Sequence, residues 1–260
     1  MPALQRIISI YESFSEILKD ELEWSDERIA LKLSEIEQSI LEKEDSKMTL
    51  SELESMISKC KFCQRKGLID ETKSSLHGRG NPSDIDILFI GLMPGETELE
   101  TGKVFSGPNA EILRKAMLEA KVGTKECPVY IHNLVCCKPK GDKPKKEQIN
   151  NCSPYLAELM YILNPNLIVT LGVEALSFML GRTVKISDFE GEVLIQGGYI
   201  IVPLRHPSSI HRIPDEDKRN SMSIRYKNQI DGIKRVNDRI KKLKASGQIP
   251  DLEQLSIKEN

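Results

Sequence analysis

Six cysteines are the most reactive side chains in this chain of 260 residues. Cys60-Lys-Phe-Cys63 is a short thiol clip, and a second pair, Cys137 and Cys152, lies far downstream. Four thiolates can close a tetrahedral zinc site or hold a four-iron cluster, and spacing alone does not separate the two. A C-x-x-C can also be a redox pair. Such a pair usually opens a helix that follows a strand, whereas this one precedes the first strand. The remote second pair favours a metal site. Cys136 adjoins Cys137 and is an alternative ligand. Cys127 fits no pair and reads as a buried thiol. A second chemical feature is the loop Lys138-Pro-Lys-Gly-Asp-Lys-Pro-Lys-Lys146. Its Lys138, Lys143, Lys145 and Lys146 suit contact with phosphate.

These residues need elements to position them. Four short apolar runs read as buried parallel strands: Ile85–Leu92, Val129–Val135, Leu167–Leu171 and Tyr199–Leu204. Helical patterns separate them at Ala110–Ala120, Lys146–Leu163 and Val173–Met179. Strand and helix in alternation predict an α/β fold, a three-layer α/β/α arrangement around a central four-stranded parallel sheet, with flanking helices. Ligands then bind beyond the carboxyl ends of the strands. Gly91–Gly95 ends the first strand, Asn133–Cys137 the second and His206-Pro207 the fourth.

Texture divides the chain into three: a charged helical region 1–57, an α/β domain 58–214, and a basic helix with a tail, 215–260. Ile29, Leu33, Ile36 and Ile40 recur at helical spacing, as do Tyr226, Ile230, Ile233, Val236, Ile240 and Leu243. The acidic N-terminal helices are an expected partner for the basic C-terminal one, with backbone contact to nucleic acid as the alternative. Both flanks could also bind a second copy or another protein. A formal net charge of −2 neither demands nor excludes nucleic acid, since binding depends on where charge sits. No apolar run is long enough to span a bilayer, and acidic residues occur too early for a signal peptide. The expected location is cytoplasmic, where cysteines stay reduced or bind metal.

The order of motifs resembles the iron–sulfur uracil-DNA glycosylases, families 4 and 5 of their superfamily. Cys60-x-x-Cys63 precedes a strand ending in Gly91-Leu-Met-Pro-Gly95, followed by Gly102-Lys-Val-Phe105-Ser-Gly107. Then come His132-Asn133-Leu-Val-Cys-Cys137-Lys-Pro, Cys152-Ser-Pro-Tyr-Leu156, Leu171-Gly172 and His206-Pro207-Ser-Ser. The likeness runs from Cys60 to Arg212. It implies a structural 4Fe-4S cluster on Cys60, Cys63, Cys137 and Cys152, with DNA as substrate. It implies that Phe105 stacks on a flipped uracil, Asn133 reads the uracil edge and His206 faces the leaving-group carbonyl. Ser208 and Ser209 fall where the family's loop meets the DNA backbone. Gly91, Leu92 and Gly95 line the nucleotide. The chemistry is coherent. A base must leave the duplex before its glycosidic bond can be reached. Phe105 offers a flat apolar wall, and an Asn amide offers a donor and an acceptor that match a uracil carbonyl and its N3–H.

The chain departs from the family at one place. Family 4 carries a water-activating Glu where this chain has Leu92, followed by Met93. Family 5 also has Leu there and places an Asp just after its Phe-x-Gly segment, where this chain has Pro108. Glu96 and Glu98 are the nearby carboxylates that could substitute, and Asn109 could hold a water. The lysine loop has no His, so the DNA-crosslinking chemistry of another subgroup finds no support in it. Two functions are therefore expected from different classes. One is a glycosylase excising uracil or another deaminated base. The other is a catalytically weakened DNA- or partner-binding module in a repair or replication assembly.

Overall fold

The computed structural model describes residues 48–69, 75–80, 85–246, 255 and 257. The helices expected within residues 1–47, and any partner role for them, lie outside the described residues. The helices are α1 (Leu50–Lys59), α2 (Phe62–Arg65), α3 (Glu96–Thr101), α4 (Glu111–Glu119), α5 (Lys146–Leu163), α6 (Val173–Leu180), α7 (Pro207–His211) and α8 (Glu216–Ala245). The strands are β1 (Arg79–Gly80), β2 (Ile87–Gly91), β3 (Val129–Asn133), β4 (Leu167–Leu171), β5 (Leu194–Gln196) and β6 (Tyr199–Leu204).

The six strands form one sheet in the order β1-β3-β2-β4-β6-β5. The four expected strands are its parallel centre, with β2 between β3 and β4, and β6 beyond β4. The sheet is wider than the four strands read from sequence. β1 and β5 add antiparallel edges. Strands of two and three residues carry too little periodicity to be seen in a sequence.

Alternation along each strand sorts side chains to two faces. Ile87 and Phe89 face one layer with Ile131, Val169 and Val202, closed by Leu113 and Met117 of α4 and by Tyr226, Ile230 and Ile233 of α8. Leu88 and Ile90 face the other with Tyr130, Ile168 and Ile201, closed by Leu53 and Ile57 of α1 and by Leu156 and Leu159 of α5. Each such fully buried aliphatic side chain contributes about 1.5–3 kcal/mol over its exposed state. α1 runs across residue 57 and belongs to the same core as the sheet.

Local chemistry sets the helix ends. Thr49 caps α1, its hydroxyl accepting from Glu52 N–H at 3.3 Å while Glu52 accepts from Thr49 N–H at 2.7 Å. Pro154 lies inside α5 and cannot donate to the carbonyl of Asn150. Ser153 Oγ donates to that carbonyl instead, at 3.0 Å. The seam of the basic C-terminal pattern is buried against the sheet, and Lys227 pairs with Glu119 of α4 at 3.0 Å. Among the described residues no helix is long and apolar enough to cross a membrane.

Candidate active site

A pocket of about 590 Å³ opens beyond the carboxyl ends of the parallel strands. Its floor and walls come from different strand ends: Leu92 and Met93 after β2, Asn133 at the end of β3, Glu174 after β4 and His206 after β6. Phe105, Glu98, Ser208 and Arg212 complete the wall.

Phe105 is buried and adopts φ 54°, an uncommon conformation for a residue with a side chain. It is held there from two sides. Arg114 Nη1 donates to the carbonyls of Phe105 at 3.0 Å and Gly107 at 2.8 Å. Glu98 accepts from Gly95 N–H and Gly107 N–H, each at 3.1 Å. Gly91 makes the meeting of Phe105 and Asn133 possible. A Cβ on Gly91 would lie 2.5 Å from Phe105 Cζ and 2.6 Å from Asn133 Oδ1. Asn133 is 2% exposed, and its Oδ1 has no hydrogen-bond partner among the described residues. A buried acceptor left alone costs about 1–3 kcal/mol. Its neighbour His132 is also buried, and burial holds its imidazole down at about 3. His132 Nε2 lies 3.7 Å from Cys136 Sγ.

His206 caps α7, with Pro207 at the first helical position. Ser208 N–H donates to His206 Nδ1 at 3.2 Å, and Ser208 Oγ lies 2.8 Å from the same nitrogen. Nδ1 is therefore an acceptor, and the neutral ring carries its proton on Nε2. Burial pushes the His206 pKa below the ordinary imidazole value. Glu174 and Glu98 pull the other way and Arg212 adds to the depression. His206 thus presents a neutral Nε2–H donor. Its ring centroid is 6.3 Å from that of Phe105, tilted by 39°.

Comparison with known proteins decides the family. A family model described as the uracil DNA glycosylase superfamily matches residues 77–228. The chain belongs to that superfamily. It is 36% identical over 138 residues to a type-4 uracil-DNA glycosylase of Thermotoga maritima, covering 52% of this chain and 70% of that protein. It is 31% identical over 185 residues to a type-4 uracil-DNA glycosylase of Saccharolobus solfataricus, covering 65% and 85%. A type-5 uracil-DNA glycosylase of Pyrobaculum aerophilum is 29% identical over 142 residues, covering 48% and 62%.

In this superfamily member the other residues singled out from sequence divide. Gly95 and Leu92 line the pocket, while Ser209 is exposed and its hydroxyl donates to His206 O at 2.8 Å. Glu98 lines the pocket, but both its oxygens are engaged by backbone. Glu96 is exposed, pairs with Lys138 and is not part of the lining. Lys138 and Lys143 line the mouth; Lys145 and Lys146 do not. Two residues of consequence escaped the sequence reading, Glu174 and Arg212. Glu174 stands two residues past Gly172, at the end of the third parallel strand, so the strand-end rule applied to β4 would have found it.

The cysteines converge from three segments. A bridge between Ile69 and Pro139 joins the chain after Cys63 to the chain after Cys137. Lys66 pairs with Glu147 of α5 at 2.5 Å, bringing in the helix that carries Cys152. Asn151 Nδ2 donates to Cys63 Sγ at 3.7 Å. Cys63 and Cys137 share a small apolar cluster with Ile69. All six cysteines are free thiols, and burial pushes the Cys137 thiol up to about 12, helped by the sulfurs of Cys152, Cys63 and Cys60. Among the described residues no three Cys, His, Asp or Glu side chains stand close enough to hold a metal ion.

Proposed function

We propose that this protein is a DNA glycosylase of cytoplasmic DNA repair, hydrolysing the N-glycosidic bond of uracil or another deaminated base. The observation that carries the reading is the partnerless, buried Oδ1 of Asn133, set against Phe105 at the base of the pocket. Deamination turns a ring nitrogen from an acceptor into an N–H donor. A fixed acceptor oxygen rewards that change and repels cytosine, whose N3 is a lone pair. Phe105 supplies the flat wall for the base. When the bond to the sugar breaks, the electron pair passes to the base. His206 Nε2–H, already neutral and aimed by Ser208, is positioned to donate to the resulting anion.

The resemblance to the iron–sulfur families 4 and 5 supports a 4Fe-4S cluster. The donor set fits one: Cys60, Cys63, Cys137 and Cys152 lie on converging segments. Those four cysteines would hold the cluster through their thiolates. Bound there, it would tie the three segments together and take no part in bond cleavage.

A second reading is favoured by one observation: Leu92 and Met93 offer the pocket no base at the end of β2. On that reading the protein binds DNA or a partner without cutting.

The test is a cleavage assay on oligonucleotides carrying uracil, hypoxanthine or cytosine, single- and double-stranded, followed by alkali to break abasic sites. The expected outcome is cleavage at uracil. His206→Ala should slow it by about a hundred-fold or more while DNA affinity holds. Asn133→Asp should weaken uracil use, since a carboxylate cannot donate to the uracil carbonyl. If neither wild type nor Leu92→Glu cuts any deaminated base while both still bind DNA, the binding-module reading replaces the enzyme.

A further inference from the structure

Hydrolysis of an N-glycosidic bond needs more than a donor at the departing base. The sugar gains positive charge and water must be oriented and relieved of a proton, work suited to a carboxylate. Leu92 cannot do this. Among the described residues three carboxylates line the pocket: Glu98, Asp142 and Glu174. Glu98 accepts backbone N–H bonds on both oxygens and is committed to holding the Phe105 loop. Asp142 lies on an exposed stretch of the lysine loop.

Glu174 differs from both. It stands in the first turn of α6, and Gly172 before it adopts φ 97°. A Cβ on Gly172 would lie 3.3 Å from His206 Cβ and 3.7 Å from Glu174 Oε2. Gly172 is thus the point where the Glu174 carboxylate and His206 converge. The side chain of Glu174 is 33% exposed. Among the described residues it pairs with Lys143, which donates to Oε1 at 3.0 Å from a side chain 74% exposed. An acid in a first helical turn is ordinarily a dipole complement. This one also walls a pocket, and its counter-ion sits on a loop of lysines suited to phosphate.

We propose that Glu174 is the catalytic carboxylate of this pocket, masked by Lys143 in the free protein and uncovered when DNA phosphates draw that lysine away. The inference rests on the glycosylase reading above. In the step, the bond between the anomeric carbon and the base nitrogen breaks, and its electron pair goes to the base, stabilised by His206 Nε2–H. A water oxygen bonds to the anomeric carbon, and the water proton passes to Glu174. Protonation of the departing base anion completes the balance, giving free base and an abasic site. Burial is the largest single influence and would raise the Glu174 pKa, but the hydrogen bond and charge of Lys143, the residue's own backbone N–H and the charge of His206 together outweigh it and leave the carboxyl below the ordinary value. Glu174 is therefore ionised at neutral pH in the free protein, and drawing Lys143 away raises its affinity for the water proton.

The experiment uses the full chain with its cluster and DNA carrying one uracil, measured under single turnover with protein in excess. Glu174→Gln should lower the rate at least tenfold, the low end for loss of a general base. Its affinity for the same DNA should hold or tighten, since a negative charge facing phosphates is removed. Glu174→Asp should retain part of the rate. Adding Leu92→Glu to Glu174→Gln should restore cleavage by returning a carboxylate at the neighbouring strand end. Thermal melting of each variant reports whether it folds. A wild-type rate in Glu174→Gln, or a loss of affinity without a loss of rate, overturns the proposal. If wild type is inert but Leu92→Glu cuts, Glu174 is dismissed and the glycosylase pocket stands. If both are inert, the glycosylase reading itself falls.

Discussion

At the residue scale, Glu98 and Glu174 are two acids in one pocket with opposite employment. Glu98 joins the turn at Gly95 to the loop at Gly107 through two backbone N–H bonds. That loop carries Phe105 at φ 54°, a conformation costing on the order of 1 kcal/mol that persists only because its surroundings impose it. A Gln at position 98 has one acceptor oxygen where the Glu has two. Glu98→Gln should therefore destabilise the protein by about 1 kcal/mol, read as a lower melting temperature. Its cleavage rate should fall far less than that of Glu174→Gln. A collapse in rate with unchanged stability would make Glu98 the chemical carboxylate instead. Glu96, tied to Lys138 outside the pocket, should tolerate Gln with neither effect.

At the scale of elements, α8 is more than a basic appendage. Tyr226, Ile230, Ile233, Val236, Ile240 and Leu243 are buried against the sheet. The helix is also locked to the amino end of β2 by polar bonds. Asn237 Nδ2 donates to Asp86 Oδ2 at 3.0 Å, Lys241 Nζ to the same oxygen at 2.9 Å, and Asn166 Nδ2 to Asp86 Oδ1 at 3.2 Å. Asn237 is fully buried, whereas the Lys241 side chain is 44% exposed. Asn237→Ala strips a donor from a buried carboxylate and should cost about 1–3 kcal/mol in urea unfolding. Lys241→Ala removes a partly solvated pair and should cost under about 1 kcal/mol. A larger loss from Lys241 than from Asn237 would show that the ion pair, and not the amide, holds the helix.

At the scale of the whole molecule, the sheet separates two ends. The amino end of the strands is closed by the Asp86 bonds. The carboxyl end opens into the pocket, with the cysteine segments beside it. A cluster there would brace α1, α2 and α5 against the loop after β3. Cys137 packs with Cys63 and Ile69, whereas Cys136 lies between His132 and Cys152. Protein purified without air should contain iron and acid-labile sulfide. Cys137→Ser should lose both, and Cys136→Ser should keep them. Colourless protein with one tightly bound zinc would remove the cluster, and the reverse pattern of losses would exchange the two cysteines.

The parallel strands and the helix α5 were legible in the residues themselves. A strand buried on both faces must be apolar almost throughout, and an amphipathic helix must repeat near 3.6 residues. The strand-end positions of Gly91, Asn133 and His206 followed from that order, because crossover topology puts every such end on one side. The edge strands β1 and β5 were not legible, since two or three residues carry no period and pair only because a neighbour is already in place. Nor was the division of labour among the acids. Glu96, Glu98 and Glu174 all stand in the first turn of a helix, so local position does not separate them. Only the fold decides that one lies outside the pocket and meets a lysine of its mouth, one meets two backbone amides and one lines the pocket beside His206. Propensity and periodicity are local quantities, set by neighbours along the chain. What a carboxylate can do is set by neighbours in space, which for Glu96 and Glu174 come from residues 42 and 31 positions away.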